Sequence, residues 1–172
     1  MAIAPTPGYI YLIESNAVDN DDWITDHGGD PDLLDLTDYT EGTEYVKLEI
    51  PQNFQKAFNT GIRVSDMVGG KSYDIRWMKR FYQLLAKGIE TSVANADLIE
   101  GFIMSNRHTA GDSATFVRYY LIVYFGVNTH LKFTDASGNR QSYCKGVVLG
   151  GIINVIMANF YAIIQITFRS VW

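Results

Sequence analysis

The sequence predicts a mainly β protein of the α+β class: an antiparallel β-sandwich or barrel with one or two flanking α-helices and a long acidic loop. Three observations lead there. Aromatic and β-branched residues gather in short runs separated by Gly, Pro, Asn and Asp, as strands and turns do. Helical spacing is kept in only two places. Residues 15–43 are dominated by Asp, Asn, Gly and Thr and hold neither period for long.

The run Gly8-Tyr9-Ile10-Tyr11-Leu12-Ile13 after Pro5 and Pro7 suits a first strand. Tyr45-Val46-Lys47-Leu48-Glu49-Ile50 alternates and stops at Pro51, giving a half-buried second strand. Ile75, Met78, Phe81, Leu84 and Leu85 recur at helical spacing, predicting an amphipathic helix from Ser72, as cap, to Gly88, in the left-handed position after the last turn. Residues 97–107 predict a second, shorter helix through Leu98, Ile99, Phe102 and Ile103, interrupted by Gly101. Thr115 to Val127 is a strand run, and residues 131–134 and 141–144 flank Asp135-Ala136-Ser137-Gly138-Asn139 as a hairpin.

Residues 146–168 are 23 in number and uncharged, long enough to cross a bilayer as a helix. Asn154, Asn159 and Gln165, the pair Gly150-Gly151, and ten Val, Ile or Thr residues argue for strands instead. In the last strand Phe160, Ala162, Ile164, Ile166 and Phe168 share one face, opposite a mixed face of Tyr161, Ile163, Gln165, Thr167 and Arg169. A membrane anchor at residues 146–168 is the alternative.

With 172 residues, 47% hydrophobic and 19% charged, the chain is too apolar to be disordered and is expected to form a single domain, residues 1–172. A lone Cys144 makes neither an internal disulfide nor a thiolate zinc cluster, and the start lacks the pattern of a secretion signal. Use inside a cell, or in something assembled there, is expected. The net charge of -5 is unevenly spread: residues 1–46 hold eleven acids and no Lys or Arg, while the remainder holds fourteen bases and eight acids. The acidic stretch, residues 15–43, is either a solvated loop or an arm that lies on a basic surface of another copy. If it is an arm, deletion of residues 17–42 is expected to leave the fold largely intact but abolish the stacking of assembled copies.

No catalytic constellation is found, so no enzyme activity, cofactor or metal is expected. His27, His108, His130 and Cys144 are scattered and read as structural. Asp19-Asn20-Asp21-Asp22 and Asp26-His27-Gly28-Gly29-Asp30-Pro31-Asp32 offer oxygen donors of the kind calcium takes, without the offsets of an EF-hand; turn chemistry and solubility are the preferred explanation. Gly69-Gly70 and Gly150-Gly151 lack a phosphate-loop context. The pI near 5.1 speaks against duplex binding by Arg76, Lys79 and Arg80. Large rings in segments expected to be exposed favour protein contacts. Trp23, Asp26, Asp30, Asp32, Arg76, Arg80 and Trp172 are therefore the candidate subunit-interface residues.

This order of elements, with an aromatic-ending last strand from Phe160 to Arg169, resembles the tail tube proteins of tailed viruses. The resemblance lies in size and element order and carries no motif that fixes an alignment. It implies a virion structural protein, assembled in the host cytoplasm, that forms stacked rings, usually of six copies, around a channel through which DNA passes without specific binding. It further implies partners among other tail proteins and no membrane. Other virion subunits, of capsid, baseplate or tail terminator, share most of these sequence features.

Overall fold

Strands β1 (Tyr9–Glu14) and β7 (Tyr119–Gly126) carry apolar residues on both faces, and the rest of the fold is arranged to cover them. The computed structural model describes residues 3–15, 22–59, 63–67, 70–74, 81–105, 119–156 and 160–170. Between and after these two strands come helix α1 (Asp22–Thr25), β2 (Tyr45–Glu49), β3 (Gln55–Asn59), β4 (Arg63–Met67), β5 (Gly70–Asp74), β6 (Phe81–Ser92), helix α2 (Val93–Ser105), β8 (Thr129–His130), β9 (Phe133–Thr134), β10 (Arg140–Gln141), β11 (Cys144–Ile156) and β12 (Tyr161–Ser170). The architecture is α+β, dominated by antiparallel strands.

One large sheet runs β2-β1-β7-β11-β12-β6-β3, with β8 added to β7; β4-β5 and β9-β10 are separate hairpins. Every paired neighbour is antiparallel. The path does not close on itself among the described residues. It does bend: Ile10, Leu12 and Leu48 from one half line the same small apolar cavity as Leu84, Ala86 and Ile166 from the other. The inner core so formed includes Val46, Leu121, Val123, Phe133, Cys144, Ala162, Ile164 and Phe168. Helix α2 lies against β2, β6, β11 and β12 and adds Ala96, Ile99 and Phe102. Ser92 caps it, its Oγ accepting from the Asn95 amide at 3.2 Å.

A second core lies on the opposite face of β1 and β7. There Tyr11, Ile13, Tyr120, Ile122 and Tyr124 are covered by Trp23, Leu34, Leu36 and Tyr39. The covering residues come from the acidic stretch, so the expectation of an extended arm is corrected. From residue 22 onward the stretch is folded onto its own sheet, because the outer face of β1 and β7 is as apolar as the inner one. Its carboxylates hold it in shape. Asp30 and Asp35 cap the short 3-10 turns Pro31–Leu33 and Leu36–Asp38, and Glu44 accepts from the Thr40 amide at 2.7 Å. Because Trp23, Leu34, Leu36 and Tyr39 belong to this core, deleting the stretch should strip it rather than leave the fold intact.

The helix predicted between Ser72 and Gly88 is also corrected where the segment is described: Ser72 lies in β5 and residues 81–88 in β6, while Ile75 and Met78 lie outside the described residues. Gly88 does have positive φ (82°), but as the extra residue of a β-bulge. Ile164 faces Ile89 and Gln165 faces Lys87, which leaves Gly88 without a partner in register. The second predicted helix is present and begins four residues earlier than expected, at Val93. Residues 146–168 provide most of β11 and β12. No helix among the described residues is long and apolar enough to cross a membrane, so the anchor helix at that segment is corrected as well. The faces of β12 fall as the alternation predicts, with Ala162, Ile164, Ile166 and Phe168 buried; Phe160, before the strand, is 75% exposed.

Candidate functional site

Two features are left once the cores are accounted for: open strand edges and a small polar cluster. Each end strand of the sheet, β2 and β3, has one strand neighbour among the described residues. Among the described residues, only Cys144, Lys145 and Gly146 of β11 pair with β7, and the rest of the strand, with a bulge at Leu149, pairs with β12 alone. An unpaired edge offers backbone N–H and C=O groups that another strand can satisfy. Apolar side chains surround this one. Leu149, Ile152 and Val155 of β11 are exposed, as is Phe160 in the turn to β12; at the opposite edge of the sheet, Phe58 on β3 is 73% exposed. The outer face of β1 and β7 has its cover; on this wing helix α2 packs against β6, β11 and β12, yet these side chains stay exposed.

The polar cluster joins the acidic stretch to the β7-β8 turn. Donor atoms of Asp30, Asp32 and His130 all lie within 4.8 Å of one another. Asp32 Oδ1 accepts from the Tyr124 hydroxyl at 2.7 Å, and its Oδ2 accepts from the Asn128 amide at 2.7 Å. Asn128 stands at φ 56°, a left-handed conformation that Asn tolerates, so the carboxylate also holds the tight turn. Asp30 Oδ1 accepts from the Asp32 amide at 3.1 Å, and the Asp30 carbonyl accepts from the Trp23 indole at 2.7 Å. Partial burial pushes the Asp32 carboxyl up, but the hydrogen bonds from Tyr124 and Asn128, helped by His130 and Lys132, hold it below its ordinary value. Burial and the same Asp32 contact push the Tyr124 phenol up to about 12.

His130 is half-buried. Its Nε2 lies 2.7 Å from the Lys132 ammonium, which also donates to Ser142 Oγ at 2.7 Å. Its Nδ1 is buried with no hydrogen-bond partner. Burial, then the Lys132 charge, lowers the His130 pKa, against the pull of Asp30 and Asp32. A neighbouring ammonium, Lys56 Nζ, sits 4.5 Å and 4.8 Å from the centres of the Phe133 and Tyr82 rings and donates to the Lys132 carbonyl. Burial lowers its pKa, and the contacts read as packing.

The candidate interface residues therefore separate. Asp30 and Asp32 come together; Asp26 is exposed in the turn before them. Trp23 is 2% exposed, edge-on to Tyr120 with ring centres 6.3 Å apart. Its ring is internal, and the reading of Trp23 as an exposed interface anchor is corrected. Arg76, Arg80 and Trp172 lie outside the described residues, as do Asp19, Asn20 and Asp21 of the calcium reading. His130, read from sequence as structural, is the residue that reading missed. Nothing local marks it, since its partners are about a hundred positions away. Cys144 is buried, and burial pushes its thiol up to about 12, which leaves it unreactive. No family model, curated protein or solved structure matches the chain.

Proposed function

We propose that this chain is a structural subunit that assembles with copies of itself by joining strand edges between subunits, in the manner of the tail tube proteins it resembles. The observation that carries the reading is the β11-β12 hairpin, whose edge at residues 147–156 has one strand neighbour among the described residues and exposes Leu149, Ile152 and Val155. A monomer with a long, uncharged, apolar edge is prone to aggregate, and closed rings are the ordered way to pair such edges. In that assembly the open, bent sheet becomes part of a barrel or sandwich completed by neighbours. Six copies per ring, stacked rings, a DNA channel and a place in the virion tail belong to the same proposal. The net charge of -5 suits a channel from which phosphates slide free.

Detergent-free purified protein imaged by negative-stain electron microscopy tests this. Rings or tubes with a central channel are expected. The double substitution Ile152→Lys, Val155→Lys should leave the unfolding midpoint within a few degrees and abolish assembly. A wild-type protein that stays monomeric at high concentration overturns the proposal. Isolated rings that never stack point to another virion subunit, such as a tail terminator.

A further inference from the structure

The geometry points to a binding site for a divalent transition cation of the zinc class, formed by Asp30, Asp32 and His130. Two segments about a hundred residues apart bring two carboxylates and one imidazole together, with donor atoms mutually within 4.8 Å. Ligand atoms about 2 Å from a tetrahedral ion stand roughly 3.3 Å from one another, so side-chain shifts of about 1.5 Å or less would close the three donors on a single ion. The donor set is mixed, one nitrogen with two oxygens, which favours zinc, cobalt or nickel over calcium or magnesium.

The state of His130 is the independent observation. Nε2 is taken by Lys132, whereas Nδ1 is buried and has no partner. A buried polar atom left without a partner is costly and rare in a folded protein. Of the two ring nitrogens, Nδ1 is the one without a partner; while Nε2 accepts from Lys132, Nδ1 carries the ring proton, which must pass to Nε2 for Nδ1 to bind a metal. The carboxylates also have capacity in reserve. Asp32 uses one lone pair on each oxygen for Tyr124 and Asn128, and Asp30 uses Oδ1 for the Asp32 amide. These bonds fix both carboxylates, as outer partners do around metal ligands.

Lys132 acts against the ion. Its ammonium repels a cation, and when Nδ1 ligates the metal, Nε2 must carry the ring proton and can no longer accept from Lys132. Binding therefore moves Lys132 off the imidazole and onto Ser142 alone. This site is independent of the assembly proposal and can fail or hold without it.

The test uses the full chain, stripped with a chelator. Zinc chloride should raise its unfolding midpoint by about 5 °C at saturating concentration, with calcium and magnesium chloride giving no shift. Cobalt(II) should show visible d-d absorption on binding. His130→Gln and Asp30→Asn, each folded as judged by its metal-free midpoint, should weaken zinc binding by at least about tenfold. Lys132→Gln should tighten it, because a neutral side chain oxygen accepts from Nε2. No response to millimolar zinc, a response unchanged in His130→Gln, or an equal response to calcium overturns the assignment.

Discussion

The Tyr124 hydroxyl donates to Asp32 Oδ1 at 2.7 Å, joining residues 92 apart in the chain and fastening the acidic stretch to the strand it covers. With its pKa pushed up to about 12, the phenol remains a donor at any ordinary pH. Tyr124→Phe keeps the ring packing and removes the bond. It should cost about 1–2 kcal/mol in denaturant unfolding, since the acceptor is charged but half-exposed. The Asp32 carboxyl should move up towards its ordinary value, read by carboxyl-carbon NMR titration. Because the native state holds Asp32 below its unfolded value, its contribution is present above about pH 4 and is lost as pH falls through the folded value. An Asp32 titration unmoved by Tyr124→Phe would show that the hydroxyl is not what holds it down.

Trp23 tests whether the acidic stretch is part of the fold. Its ring packs on Tyr120 and Tyr143, and its indole N–H is bound to the Asp30 carbonyl. Trp23→Ala should destabilise by about 3–5 kcal/mol in urea unfolding, the range for a large aromatic lost from a core. Deleting residues 17–42 should expose Tyr11, Ile13, Ile122 and Tyr124 and give a protein that binds a hydrophobic dye or fails to fold. A deletion variant with the wild-type midpoint would mean that the second core contributes nothing.

The same stretch shows where sequence reading ends. Trp23, Leu34, Leu36 and Tyr39 follow no period because each reaches the sheet from a turn, and caps such as Asp30 and Asp35 look in sequence like solvated acids. Strands with one buried and one mixed face, such as β12, were legible from alternation alone. The β6 region was not. Leu84 and Ala86 alternate, but the bulge at Gly88 shifts the next inward residue to Ile89, and apolar residues upstream complete a false helical spacing. Of the polar cluster, the Asp pair was visible as a source of oxygen donors. His130 was not, because only tertiary folding brings it there.

Asp135 makes the turn between β9 and β10. Its carboxylate accepts from the Gln141 amide group at 3.0 Å and from the backbone amides of Asn139 and Ser137 at 2.8 Å and 2.9 Å. The Gln141 contact, then the Asn139 contacts, hold it below its ordinary value. A lowered carboxyl stabilises the turn above its unfolded pKa and ceases to do so as pH falls through the folded one. The amide resonances of Ser137 and Asn139 should therefore titrate together, with a midpoint below 3.8. Asp135→Ala should abolish that titration. Amide shifts that titrate at the ordinary value or above would contradict the turn geometry.

Gly146 lies where β11 is held between β7 and β12, opposite Tyr119 on one side and Ser170 on the other. A Cβ placed there would collide with the Arg169 carbonyl oxygen and the Phe168 ring. The ring can tilt, but the oxygen belongs to the sheet backbone and cannot move without parting the strands. Gly146→Ala should therefore destabilise by about 1–3 kcal/mol, towards the upper end of the overpacking range. Gly150, four residues on in the same strand, has open space where its Cβ would stand. Gly150→Ala should be neutral or stabilise by up to about 1 kcal/mol, through a less flexible unfolded chain. Urea midpoints of the two variants, measured side by side, separate close packing at the β11-β12 junction from the general cost of changing a strand glycine. Equal midpoints would mean that the junction is looser than this contact requires.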